Sequence, residues 1–205
     1  MDGYVWRGIV SEAFSTIRNG AGSSLDDTNT YFSTGLTASA TTNQFKILNR
    51  SYVLFDTSAI GANGVISSSI FSGYYYAAGN TLGSTDLHLA SSTPASNTGL
   101  VATDYQQIGR TSFGSITYAN FIASQYNDIT LNADGLASIS KMGISKFSLQ
   151  VGWDITGSFT GTWGDSKQIS FLIYSAEQTD TSQDPKLVVT YTVVIPPKQD
   201  VIWFD

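Results

Sequence analysis

Between Ile169 and Ile195 the chain carries two apolar runs around a polar loop, and this stretch limits the fold more than any other. Ile169, Phe171 and Ile173 recur at every second residue, which in a strand puts all three on one face. Ser175 to Gln183 is polar, and Pro185 stands where a strand begins, a position that donates no ladder hydrogen bond. Leu187 to Ile195 is dense in β-branched and aromatic residues, so both faces of that strand are expected to be at least partly covered. The pair reads as the closing hairpin of a β-sandwich.

The rest of the chain repeats the pattern. Strands are expected over 4–10, 29–34, 44–55, 65–77, 85–91, 113–118, 126–131 and 144–151, separated by Gly-, Asn- and Ser-rich turns. A single helical turn is expected near Thr103. One short helix is expected after Asn132, which can cap it, with Leu136, Ile139 and Met142 on one face and Gly143 as its stop. Residues 153–164 read as a Gly/Thr loop. About ten strands without an internal repeat give an all-β fold class: a two-sheet antiparallel β-sandwich (jelly roll) with one short helix. The sandwich is expected to occupy residues 1–195, leaving 196–205 as a C-terminal tail.

Composition narrows the function classes. Charged residues make up 13% of the 205, against a typical ~25%, so solvation falls to Ser, Thr, Asn, Gln and Gly. A net charge of -6 with ten scattered basic residues argues against nucleic acid, whose phosphates need a Lys/Arg surface. No cysteine is present, which removes disulfides, thiolate nucleophiles and thiolate metal sites. The first residues show no basic region followed by an apolar run, and no stretch is long and apolar enough to span a bilayer. The expectation is a chain made in the cytoplasm without a signal peptide, or a cut domain with an added Met, and no membrane insertion.

Several segments together resemble a known family: Arg50-Ser51-Tyr52-Val53-Leu54-Phe55-Asp56-Thr57-Ser58-Ala59-Ile60, Ile66 to Ile70, Tyr126 to Asn132, and Ser175 through Asp184-Pro185-Lys186-Leu187-Val188-Val189-Thr190-Tyr191. They resemble the DNRLRE-type jelly-roll domains, which are similar to some carbohydrate-binding modules and recur in bacterial surface proteins and phage virion proteins. The resemblance runs from Asp2 to Thr192. It implies the sandwich fold and carries no shared catalytic motif.

Chemistry-bearing residues are sparse. His88 lies between Leu87 and Leu89 on the opposite face of its strand and reads as a cross-strand or solvent-facing histidine rather than a base. Glu12 and Glu177 have no partner at an acid/base spacing, no phosphate loop or serine elbow occurs, and no enzyme activity is expected. No cofactor is expected either. Calcium is the one metal the oxygen-rich loops suit, with Asp26 and Asp27 as candidate ligands and a plain turn as the competing reading. Flat aromatic rings in loops are the candidates for stacking on a sugar: Trp163, Trp153, Tyr105 and Tyr118. Trp153 also suits the core.

Beyond the last strand, Pro196-Pro197 stiffens the exit, and Val201, Ile202, Trp203 and Phe204 form an apolar run that needs a docking surface. From this tail, the surface-type sandwich and the absent signal, the expected function is a phage virion structural protein. It would be a capsid-decorating, tail or fibre subunit, made in the host cytoplasm, partnering other virion proteins or copies of itself and adhering to a glycan. The alternative is an extracellular carbohydrate-binding module of a secreted bacterial protein. A hydrolase would need two carboxylates converging in a groove.

Overall fold

Residues 1–194 are described by a computed structural model. Eleven strands and three one-turn helices follow in the order β1 (Asp2–Glu12), α1 (Phe14–Asn19), β2 (Ser24–Asp26), β3 (Tyr31–Ala38), β4 (Phe45–Asp56), β5 (Gly64–Asn80), β6 (Leu87–Ser91), β7 (Gly114–Ile116), β8 (Tyr126–Thr130), α2 (Ala133–Ala137), β9 (Ile144–Val151), α3 (Gly152–Thr156), β10 (Gln168–Tyr174) and β11 (Lys186–Val193). Every strand pair is antiparallel. The result is the all-β sandwich the alternation implies. Among the described residues no helix is long and apolar enough to cross a membrane.

Two long strands organise the sheets. Residues 64–72 of β5 pair with β11 and residues 70–74 with β8, while residues 75–80 pair with β10. A register shift at Leu172/Ile173 marks where β5 passes from one sheet into the other. The second sheet continues through β10, β3, β4, β9, β6 and β7. β4 is paired with β1 from Phe45 to Val53; along its other edge it takes β3 at residues 45–49 and β9 at residues 51–56.

The closing hairpin is therefore a correction. Both runs are strands, but β10 and β11 do not pair with each other; each pairs with a different half of β5. The long polar connection, with a 3-10 turn at Thr181–Gln183, lets the chain change sheets. The single expected helix is also corrected. Asn132 does cap α2, its side chain accepting from Gly135 N at 3.0 Å. The helix ends at Ala137, however, and Met142 is 73% exposed. α1 and α3 were unforeseen, and α3 occupies the start of the expected 153–164 loop. Ile195 and the tail, including Val201, Ile202, Trp203 and Phe204, lie outside the described residues.

The inward face of the second sheet is apolar: Phe32, Leu36, Leu48, Phe147, Leu149 and Phe171 are all buried in one core. Arg50 and Asp154 sit inside it without exposure. Arg50 Nε and Nη2 donate to Asp154 Oδ2 and Oδ1 at 2.6 and 2.8 Å, a two-pronged ion pair. Two of its other donors reach the carbonyls of Tyr105 at 2.7 Å and Arg18 at 2.8 Å, and the guanidinium covers the Tyr105 ring at 3.9 Å. Arg18 Nε donates to the Asp154 carbonyl at 2.8 Å, and Arg110 pairs with the Asp154 carboxylate. Burial by itself would lower the Arg50 pKa, but the Asp154 charge and its hydrogen bonds reverse this and hold it above the ordinary value.

Two stability predictions follow. Removing Asp154 would leave the fully buried Arg50 without a counter-charge, so Asp154→Ala should cost about 3–5 kcal/mol in urea unfolding. A loss under 1 kcal/mol (about the value of an exposed pair) would show that the pair does not hold the fold. At the β1 bulge, Ile9 has φ +60° and is 87% exposed, so its side chain adds strain and little burial. Ile9→Gly should raise stability by about 1 kcal/mol in the same assay.

Candidate functional site

The outward face of the same sheet is built by the other half of each alternation. In β3, Phe32, Thr34 and Leu36 point inward, which leaves Tyr31, Ser33, Gly35 and Thr37 outward. In β10, Ile169, Phe171 and Ile173 are buried, leaving Gln168, Ser170, Leu172 and Tyr174. Register joins them into cross-strand rows: Trp6, Asn49, Gly35 and Ser170 in one, Gly8, Ile47, Thr37 and Gln168 in the next, Tyr31 beside Tyr174 at the far end. Gly35 keeps the floor low, since a Cβ there would lie 2.3 Å from the Ile169 carbonyl oxygen.

These rows form an open groove of about 340 Å³. Its floor is polar and uncharged: Ser33, Thr37, Asn49, Gln168 and Ser170, with Asn49 Nδ2 donating to Ser33 Oγ at 3.1 Å. Tyr4 and Tyr31 line it, and further rings pack on them beside it. Tyr4 stacks on Trp6 with centroids 5.2 Å apart, and Tyr31 stacks on Tyr76 at 5.6 Å, with Tyr174 5.1 Å beyond. Tyr76 is 47% exposed, whereas Tyr75, on the opposite face, is buried. Burial, then the Asp26 carboxylate and the Tyr31 phenol, raise the Tyr4 pKa, so its hydroxyl stays protonated. From β1 to β5 the face crosses four interstrand steps, about 19 Å.

None of the aromatic rings singled out from sequence lies in this groove. Tyr105 is fully buried, one ring face covered by Arg50 and its hydroxyl donating to the Ile17 carbonyl at 2.7 Å, so it offers no stacking surface. Trp153 is 4% exposed, packed against Phe159, and its indole N–H donates to Thr160 Oγ1. Trp163 leans on the core and donates to the Gln44 carbonyl at 2.9 Å. Tyr118 meets Phe171 edge-on and also packs against the core. The groove residues Tyr4 and Tyr31, and the rings Trp6 and Tyr174 beside it, were missed, although their odd-even alternation with Val5, Phe32 and Ile173 signalled an outward aromatic set.

The acidic candidates are occupied by backbone. Asp26 Oδ1 accepts from Thr28 N and Asn29 N at 3.1 and 3.0 Å, an Asx turn, and Asp27 Oδ2 accepts from Leu100 N at 2.8 Å. Among the described residues no three His, Asp or Glu side chains gather as a metal site. A close carboxyl pair does occur at the start of β1, where Asp2 meets Glu177, and neither lines the groove. What the groove offers is aromatic faces and hydroxyl and amide hydrogen bonds.

No family model matches the chain, so the DNRLRE-type resemblance has no family match behind it. No curated protein matches either. Among solved structures the chain is similar to one titled "Structural basis for the promiscuous specificity of the carbohydrate-binding modules from the beta-sandwich super family", at 10% identity and a TM-score of 0.31. The match covers 78% of this chain and 54% of that one, so the chain spans about half the length of the solved structure.

The Asp2–Glu177 pair generates a pH prediction. Burial, then the charge of Glu177 and a hydrogen bond to it, push the Asp2 carboxyl up to about 7 from an ordinary 3.8. The folded state thus holds the Asp2 proton more tightly than the unfolded state. The stabilisation from that proton is complete below the unfolded value and is lost as pH rises towards about 7. Asp2→Asn keeps an acceptor for Ala176 N, so it should raise Tm at pH 8 and leave it nearly unchanged at pH 3.5. An equal shift at both values would show that Asp2 is not held protonated.

Proposed function

We propose that the chain is a glycan-binding module that seats a neutral oligosaccharide in the sheet-face groove. The observation that carries this reading is the combination of two stacked aromatic pairs, Tyr4–Trp6 and Tyr31–Tyr76, with an uncharged hydroxyl- and amide-lined floor beside them. Sugar rings present apolar C–H faces and a rim of hydroxyls, so they match aromatic faces and neutral hydrogen-bonding groups together. The floor holds no Lys or Arg for an acidic polysaccharide and no Asp or Glu for a cationic one. The length of the face, about 19 Å by strand spacing, suits a chain of several sugar units rather than one.

The reading fits an extracellular or surface-exposed module. A virion subunit that adheres through a glycan would use the same groove; the assembly half of that expectation rests on Val201 to Phe204, outside the described residues.

Glycan-array screening followed by calorimetry tests the proposal. A neutral polysaccharide fragment should bind, and Trp6→Ala and Tyr31→Ala should each weaken it at least tenfold, about 1.4 kcal/mol. Trp163→Ala should leave binding unchanged. Absence of any neutral glycan ligand, or equal binding by the Trp6 and Tyr31 variants, would overturn the groove as the site.

A further inference from the structure

Away from the groove, β6, α3 and the two loops beside them enclose a second pocket of about 390 Å³. This is towards the small end of the roughly 300–1,000 Å³ typical of ligand pockets. It forms because Gly152, at the start of α3, docks its N–H on the Asp86 carbonyl at 2.9 Å. The bare Cα lets two side chains pack close: a Cβ built on Gly152 would stand only 2.6 Å from Thr85 Oγ1 and 3.1 Å from His88 Nε2. Glycine thus allows these two polar groups to sit side by side on the pocket wall.

The hydrogen bonds around His88 define what that space accepts. Ser112 Oγ lies 2.8 Å from His88 Nδ1 and 3.2 Å from the Gly114 carbonyl, which commits Nδ1 to Ser112 and leaves Nε2 for the pocket. Burial lowers the His88 pKa, which keeps the ring neutral at neutral pH. Among the described residues neither Nε2 nor Thr85 Oγ1 bonds a protein group, and Asp86 adds a carboxylate to the same wall. Trp153 gives the pocket an indole wall whose N–H is already committed to Thr160 at 3.1 Å.

We propose that this pocket is a second binding site, taking a single neutral sugar unit whose hydroxyls hydrogen-bond with His88 Nε2 and Thr85 Oγ1. It shares a ligand chemistry with the groove but none of its residues. The two sites therefore stand or fall separately.

Nitrogen-15 NMR of the full chain tests it, with glucose, galactose, mannose and N-acetylglucosamine as probes at millimolar concentrations, the range suited to a few hydrogen bonds. At least one sugar should shift the His88 Nε2 and Trp153 indole resonances saturably, in the wild type and equally in Trp6→Ala. Thr85→Val, which keeps the side-chain shape, and His88→Phe should each weaken that binding at least tenfold. Thr85→Val alone decides the matter if His88→Phe does not fold. No saturable shift with any of the four sugars, or a shift that survives Thr85→Val, overturns the proposal. Loss of oligosaccharide binding in Trp6→Ala with the His88 shift retained would identify two independent sites.

Discussion

The Arg50–Asp154 pair is the interaction on which the rest of the molecule depends. Two opposite charges buried without exposure are tolerable when they face each other and most of their donors and acceptors are met; here four of the five Arg50 N–H groups are bonded, and the groups involved come from four separate parts of the chain. Arg50 comes from β4, Asp154 from α3, the carbonyl of Arg18 from α1, and that of Tyr105 from the 3-10 turn at Ala102–Gln106. Asp104 in that same turn accepts from Ala95 N and Val101 N, each at 2.9 Å, and its carbonyl accepts from the Tyr52 hydroxyl. The non-strand segments thus gain their positions from one charged centre inside an apolar sheet face.

The same strand that carries the buried arginine carries the floor of the groove. Along β4, Leu48, Arg50 and Tyr52 point inward, so Ile47 and Asn49 must point outward. A slip of one residue in the β1–β4 or β3–β4 register would place Arg50 in the groove and Asn49 against the core. The cost of a buried charge without its partner makes that slip unfavourable. Fixing Arg50 against Asp154 therefore also fixes the Asn49–Gly35 pairing in the groove floor.

Much of the fold was legible because local alternation needs no knowledge of partners. β9 spans Ile144–Val151, the bounds its apolar pattern indicates, and the caps and breaks around Asn132 follow from side-chain chemistry. Pairing was not legible. β10 and β11 look like neighbours in sequence, yet each needs a different half of β5, and nothing in a 17-residue strand announces that it serves two sheets. α3 was hidden for a related reason: Gly152-Trp153-Asp154-Ile155-Thr156 has poor helix propensity and is held by the Asp154 contacts instead.

The aromatic residues illustrate where intuition about sites fails. Loop position suggested exposure for Trp163 and Tyr105, while Trp153 suited the core as well, and a sandwich with short helices closes its ends with large side chains, so that all three rings became plugs. Strands β3 and β10, with one face filled by Phe32, Leu36, Phe171 and Ile173, turn their alternate residues to solvent. A tyrosine there keeps its hydroxyl wet and its ring free, and it loses little conformational entropy when a ligand packs on it. The outward half of an alternating strand thus presents aromatic faces that a closed loop end does not. In this chain Tyr4, Trp6, Tyr31 and Tyr174 do so together from β1, β3 and β10 of one sheet.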